Sequence, residues 1–305
     1  MLKDQAPINT KSYYCRICGS VHIKKIKETT VQTQLESSDF KITDNRYGLM
    51  LALFKCLDCG FLQCLDAPEP TGYYKKLEDS EYEANRGERL LQAGKILQEI
   101  IKMMNVSPEG LRLLDVGAGC GILLEAATQL GFDAEGVEPS DWLRMIAGRH
   151  GCKIKADVIP DPKISGPYDV VTLVDVVEHV SKPFELIQNA ASLLKVGGII
   201  VVVTPDVKSL AARIMSWKWW HYRIAHIGYF SKDNIEFICS KLGLKIISLS
   251  RPSWFFSFAY LRDRLLKYVP GFFLPAKKPW MEKFTVHLNL RDSLMIIAKR
   301  SSNDS

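Results

Sequence analysis

Along the middle of this chain, apolar and polar positions recur in one order: a short apolar run, a turn of small or acidic residues, then apolar residues at helical spacing. The runs predict strands at 111–116, 132–137, 152–155, 169–174 and 198–203, and the periodicity between them predicts helices at 121–130, 140–150 and 183–194. A longer helix is expected over 88–104, where Leu90, Leu91, Ile96, Leu97, Ile100 and Ile101 share a face, and a last strand over 293–299. Strand and helix in alternation imply an α/β doubly wound fold, a parallel sheet with helices on both faces. Ligands of such sheets lie beyond the carboxyl ends of the strands. Asp115, Glu138, Asp157 and Asp175 all fall at those ends.

The first strand end carries the strongest signal. Asp115-Val-Gly-Ala-Gly-Cys-Gly121 places three alternate glycines between strand and helix, and residues without Cβ allow positive φ and let a ligand approach bare amides. The third glycine comes one residue early for a dinucleotide fingerprint, and Ile122 stands where a phosphate loop needs Lys. Glu138 lies 23 residues after Asp115 at the next strand end, where a carboxylate accepts from both hydroxyls of an adenosine ribose. Cys120 reads as a small filler.

Asp115-x-Gly-x-Gly-x-Gly, Glu138, Lys155-Ala-Asp157, the run from Tyr168 to His179 and the run from Leu194 to Pro205 occur in this order. Together they resemble the class I S-adenosylmethionine-dependent methyltransferases over about residues 86–250 plus the last strand. The resemblance implies a seven-stranded Rossmann-like sheet with its last strand antiparallel. It also implies a cofactor site of Asp115, Gly117, Ala118, Gly119, Gly121, Glu138, Pro139, Asp157, Val158 and Asp175. There the methionine part would lie along Gly117 to Gly121, Glu138 would hold the ribose, and Asp157 with Val158 would meet the adenine. Asp141 and Trp142 are alternatives for that last contact.

Ahead of this core, Cys15-Arg-Ile-Cys18-Gly and Cys56-Leu-Asp-Cys59-Gly form two knuckles separated by a segment with strand-like alternation around 24–34. Four thiolates at this spacing predict a closed, structural zinc site of Cys15, Cys18, Cys56 and Cys59; two disulfides are the alternative, and Cys64 and His22 read as bystanders. Asp66 to Gly72, with two prolines, reads as the exit of this module. The expected organisation is a zinc-binding module over 1–72, a catalytic core over 73–250, an aromatic and basic insertion over 251–292, and a last strand with tail over 293–305. Tyr73, Tyr74 and Tyr82 stand where they could roof a cofactor or simply pack.

For chemistry, a sulfonium methyl needs an aligned acceptor and one general base. His226 is the expected base and His179 the second candidate, since imidazole titrates near neutrality. Glu178-His179 resembles the Glu-x-x-Glu-His arrangement of ubiquinone-type O-methyltransferases, which implies a magnesium ion; here Asp175 replaces the first Glu. The segment with His226 also resembles that of zinc-module deoxysugar methyltransferases. Trp219, Trp220, His221, Tyr222 and Tyr229 are expected to wall the acceptor site, where aromatic faces suit sugar rings. The knuckles, the core and the Trp-Trp-His-Tyr run together resemble enzymes of bacterial surface-polysaccharide clusters, which implies a sugar or lipid-linked glycan intermediate of surface polysaccharide synthesis as the leading acceptor, with a quinone or phenol as the alternative enzyme reading and non-catalytic cofactor binding as the third.

Composition adds limits. The net charge of +6 is spread without dense basic blocks, which gives no support to a nucleic-acid partner. Lys3, Asp4 and Gln5 interrupt any leader-like apolar run, and no apolar stretch reaches membrane-spanning length, so a cytoplasmic protein is expected. Within 251–290, Trp254, Phe255, Phe256, Phe258, Tyr260, Phe272, Phe273 and Trp280 alternate with Arg262, Arg264, Lys267, Lys277 and Lys278, a pattern that suits peripheral contact with an anionic membrane or a subunit interface.

Overall fold

The structure, a computed structural model, describes residues 13–301; Lys3, Asp4 and Gln5, and the ends of the 1–72 and 293–305 segments, lie outside the described residues. The chain opens with β1 (Ile23–Lys27), β2 (Leu53–Cys56) and β3 (Leu62–Gln63), successive antiparallel neighbours. The alternation read over 24–34 yields only β1. A bulge between Lys25 and Lys27 bends the strand, and beyond it the Thr29 and Thr30 hydroxyls donate to the Met50 and Gly48 carbonyls. These side-chain bonds, with one backbone bond from Thr30 N to Met50 O at 2.9 Å, stand where a ladder would continue.

Two short helices, α1 (Thr71–Lys75) and α2 (Ser80–Ala84), lead into α3 (Arg86–Met104). The repeating unit follows: β4 (Arg112–Val116), α4 (Ile122–Gln129), β5 (Asp133–Val137), α5 (Asp141–Arg149), β6 (Ile154–Ala156), β7 (Tyr168–Val174), α6 (Pro183–Ser192) and β8 (Leu194–Pro205). β8 starts ahead of the predicted 198 because Leu194 already pairs with Tyr168, before a register shift takes up Gly197 and Gly198. After it come α7 (Leu210–Met215), β9 (Gly228–Tyr229), α8 (Lys232–Lys241) and β10 (Leu244–Ser250). The insertion forms a hairpin of β11 (Trp254–Ser257) and β12 (Thr285–Leu288) that encloses α9 (Phe258–Leu265) and α10 (Trp280–Lys283); β13 (Ser293–Arg300) closes the fold.

The main sheet has seven strands in the order β10-β13-β8-β7-β4-β5-β6, with β13 antiparallel to both neighbours and the others parallel along β8-β7-β4-β5-β6. Strand order reverses at β4, which lies between β5 and β7, so a crevice opens at their carboxyl ends. One face is packed by α3 and α4 through Ile96, Leu97, Ile100, Leu123 and Ala127. The other carries Ile187, Ala190, Ile235 and Ile238 in one apolar cluster with Cys15, Ile17, Cys56 and Phe61. The amino-terminal strands are thus joined to the core, and β9 makes the seam, pairing with β3 at Leu62–Tyr229 and Gln63–Gly228. No helix among the described residues is long and apolar enough to cross a membrane.

Candidate active site

A cavity of about 410 Å³ opens at the switch point, and its two ends are built differently. At one end, Gly117 and Ala118 both donate their N–H to Val137 O at 2.9 Å, folding the turn after β4 toward β5. Gly117 has φ +77°, and a Cβ there would meet Val176 Cγ2 at 2.6 Å. Gly119 has φ +55°, with Tyr82 Oη 3.2 Å from where its Cβ would be. Tyr82 covers the turn, as a roofing tyrosine would, and the Arg89 guanidinium lies 4.0 Å from its ring centre.

Glu138 is buried and accepts from Gly119 N at 2.9 Å and Ser140 N at 2.8 Å. Burial outweighs these bonds and pushes its carboxyl up to about 7. Asp115, also buried, accepts from Thr172 Oγ1 at 2.7 Å; burial, with the charge of Glu138 adding, pushes it up to about 7. Pro139, Ala118 and Asp175 line the cavity. Asp157 and Val158 sit exposed at its rim, where Asp157 pairs with Arg144, which also donates to Glu138 O at 3.1 Å. Gly121 lies behind the cavity wall as the left-handed N-cap of α4, with Cys152 Sγ 2.6 Å from the place of a Cβ.

Two residues that the sequence reading missed complete this end. Arg89 and Gln92 of α3 line the cavity, and the Arg89 Nε and both Gln92 amide atoms are buried without partners. The available signal was a pair of polar residues three apart inside the apolar face of a helix.

The other end is a cluster of side chains. Glu178 and His179 follow β7 in a turn of 3₁₀ helix, and Ile227 N donates to Glu178 O at 2.9 Å. Thr204 Oγ1 donates to Glu178 Oε2 at 3.0 Å, leaving Oε1 buried and unpartnered, 4.0 Å from His179 Nε2. His179 Nδ1 lies 2.9 Å from Ala225 O and 2.7 Å from Tyr74 Oη. Because a carbonyl only accepts, Nδ1 carries the hydrogen and Nε2 keeps its lone pair. The His226 ring stands edge-on to His179 with centres 4.7 Å apart, and its Nδ1 is buried and unpartnered. Burial pushes His179 down to about 3 and His226 well below its ordinary range, with the Arg223 charge adding to both. Burial likewise pushes Glu178 well above the usual carboxylate range, and Asp175 adds to it. One ligand atom each from Glu178, His179 and His226 lies within 4.8 Å of the other two.

The rest of the wall comes from distant segments. Trp220 and His221 line the cavity and both reach Asp292, Trp220 Nε1 at 2.8 Å and His221 Nε2 at 3.3 Å. Trp219, Tyr222 and Tyr229 do not: they are buried with Met50, Leu53 and Cys64, where they hold the amino-terminal segment to the core. Ile42, Asp44 and Tyr47, in the long connection from β1 to β2, line the cavity, as do Trp254, Phe255, Phe256 and Tyr260 of the insertion. Arg223 ties these parts together by donating to Ile42 O at 2.9 Å and Lys41 O at 3.3 Å.

Away from the cavity, the four knuckle thiols converge. Cys15 Sγ lies 3.5 Å from Cys59 Sγ and Cys18 Sγ 3.6 Å from Cys56 Sγ, all within 4.8 Å of one another and none in a disulfide. Tetrahedral zinc with bonds of about 2.3 Å holds its sulfurs roughly 3.8 Å apart, so the donor set fits that ion. The cluster abuts the catalytic side directly: Asn234 Nδ2 donates to Cys59 O at 3.0 Å, and Phe61 packs on Phe230 with ring centres 4.8 Å apart.

The family model of the methyltransferase domain matches residues 85–249. The ubiquinone biosynthesis O-methyltransferase of Caulobacter sp. (strain K31) is 38% identical over 113 residues, 34% of this chain and 45% of that protein. The protein of the same name from Cereibacter sphaeroides is 31% identical over 180 residues, 53% of this chain and 72% of that one. The chain spans about half the length of the first of these relatives. Among solved structures, magnesium protoporphyrin IX methyltransferase from Synechocystis PCC 6803 with bound SAH is 16% identical, covers 75% of this chain and 91% of that one, and superposes with a TM-score of 0.49.

Proposed function

This chain belongs to the methyltransferase domain family, and from that premise we propose that it transfers a methyl group from S-adenosylmethionine to an oxygen of a phenolic, quinone-type acceptor. The observation that carries the reading is the single cavity that joins the glycine turn and Glu138 to the Glu178, His179 and His226 cluster. When bound, S-adenosylmethionine supplies a methyl activated on a sulfonium. Glu138 accepts the ribose hydroxyls, Arg89 and Gln92 offer donors to the amino-acid end, and Tyr82 closes over Gly119 to exclude water. At the far end, Glu178, His179 and His226 converge where the acceptor's hydroxyl would sit and give up its proton.

Two points favour the phenol over the glycan. Relatives carry the name ubiquinone biosynthesis O-methyltransferase, and a wall of Trp254, Phe255, Phe256 and Tyr260 suits a planar ring with an apolar tail. Of the Trp-Trp-His-Tyr run that motivated a sugar, Trp219 and Tyr222 face the core. Two supporting parts complete the proposal. Zinc at the four cysteines is structural, holding β3 against β9. Exposed Phe273, Trp280 and Phe284 beside Lys277, Lys278 and Lys283 make a peripheral contact with an anionic membrane, the source of a lipophilic acceptor.

The test is transfer from methyl-labelled S-adenosylmethionine. A catechol with an apolar tail should be methylated, and sugar nucleotides and lipid-linked saccharides should not. Methylation of a saccharide instead would restore the glycan reading. Binding of the cofactor without conversion of either class would leave a non-catalytic binding protein.

A further inference from the structure

The resemblance of Glu178-His179 to a magnesium motif makes a claim about donors, and the donors can be read directly. Magnesium demands near-octahedral oxygen ligands and gives up water reluctantly. The converging atoms here are one carboxylate oxygen and two imidazole nitrogens, from Glu178, His179 and His226. Asp175, which stands where the motif has its first Glu, is held at φ +54° and is not part of that convergent group. The set does not fit magnesium. We infer that Glu178, His179 and His226 form a three-ligand site for a borderline divalent transition-metal ion, of the zinc, cobalt or iron(II) class.

Several independent features support a built site. Glu178 Oε1 and His226 Nδ1 belong to residues only 1% and 4% exposed, yet neither atom has a partner, and buried polar atoms are rarely left so. Two of the three donors are also oriented from behind. His179 is fixed through Nδ1 by Ala225 O, and Glu178 accepts at its other oxygen from Thr204; outer bonds of this kind aim ligands at a metal. The His226 backbone is held too, with its carbonyl 3.9 Å from Cys64 Sγ and the next residue's N–H on Glu178 O. The Arg223 guanidinium, which lines the same cavity, opposes a cation there, while Asp175 and Asp292 on the cavity wall oppose Arg223. Two imidazoles and one carboxylate favour borderline ions and leave positions open toward the cavity, where an acceptor oxygen fits.

The inference rests on the phenol reading, because it names how that cluster would lower the proton affinity of the acceptor oxygen. It is tested on the whole chain with zinc loaded at the four cysteines, titrated with Co²⁺ and followed by metal content and visible absorption. A second equivalent is expected, with weak d–d bands and no thiolate charge-transfer band. That equivalent should be lost in His226→Ala and in Glu178→Gln, while the first stays. Because either variant could perturb folding, each is checked for S-adenosylhomocysteine binding, which uses the other end of the cavity, and His226→Gln provides a second removal of the ligand. Millimolar Mg²⁺ should leave the cobalt spectrum unchanged. A single equivalent in the unaltered chain, a second equivalent that survives all three substitutions, or displacement by Mg²⁺ would each overturn the inference. Methyl transfer to a phenol without a second ion would remove the metal and keep the function; a second ion with no phenol methylated would do the reverse.

Discussion

The two ends of the cavity differ in what they are made of. The proposed cofactor end is mostly backbone from one continuous stretch, β4 through the start of α5, whose geometry is set by glycines at positive φ and by two N–H groups on Glu138. The proposed acceptor end is side chains from the 42–47 connection, the turn after β7, the 220–226 segment and β11, held by bonds such as those of Arg223 and Asp292. The first kind of site tolerates little variation in sequence. The second can change its substrate by exchanging side chains on an unchanged sheet, because no single segment defines it.

The strongest way to break this contrast is to damage the backbone end alone. Glu138→Ala removes the acceptor of two N–H groups and the proposed acceptor of the ribose hydroxyls. With hydrogen bonds to charged groups contributing about 1.5–3 kcal/mol each, S-adenosylhomocysteine affinity should fall by roughly 10²-fold or more in calorimetry. Gly119→Val should do at least as much, since φ +55° and Tyr82 Oη at 3.2 Å both oppose a branched side chain. Near-wild-type affinity in both variants would mean that the cofactor lies elsewhere.

The next test works from the other side. His226→Ala should lower kcat by about 10²–10⁴-fold and leave the S-adenosylhomocysteine Kd within about twofold, because the His226 ring packs on His179, His221 and Tyr229 at the other end of the cavity. Parallel losses in kcat and in cofactor affinity would show that the two ends are not separable.

These two predictions also mark what the sequence made legible. The glycine turn, Glu138 and the helices around them follow from local pattern, and Thr172 beneath Asp115 only reinforces them. The knuckles were legible because Cys-x-x-Cys spacing is itself a geometry. His226 and His179 could be named but not joined, since their 4.7 Å approach depends on β9 being carried to Glu178 by pairing with β3. Trp219, Tyr222 and Tyr229 look like a binding surface in one dimension. In three they meet Met50 and Leu53, residues more than 150 positions earlier in the chain, a distance that periodicity cannot see.

A smaller effect comes from pH. Asp115 and Glu138 sit near 7 in the free protein, above their ordinary ranges, because both are buried. The folded chain therefore binds more protons than the unfolded chain between about pH 4 and 7. Their contribution to stability is fully present below that window and is lost as pH rises through 7. A ligand that needs both carboxylates ionised reverses the trend: S-adenosylhomocysteine affinity should rise with pH up to about 7 and then level off, by at most about tenfold per unit for each group. Calorimetry in two buffers of different ionisation enthalpy should find proton release on binding at pH 6.5. An affinity that is flat between pH 5.5 and 8 would mean that neither carboxyl is neutral in the free state.

The smallest change probes the seam that ties the knuckles to the acceptor end. Asn234 caps α8 through its Oδ1, which accepts from Ser231 N and Ser231 Oγ, while its Nδ2 donates to Cys59 O. Asn234→Asp keeps the cap and removes only the donor to the knuckle, placing a carboxylate oxygen against a carbonyl. Stability should fall by about 1–3 kcal/mol, the range for a buried acceptor left unpaired, readable in urea unfolding. Because β9 passes from this seam to His226, the acceptor KM should rise a fewfold while cofactor Kd stays fixed. A rise in cofactor Kd instead would place the knuckles under the glycine turn, against the pairing of β3 with β9; no change in either constant would make the four cysteines a separate anchor whose grip ends at Phe61 and Phe230.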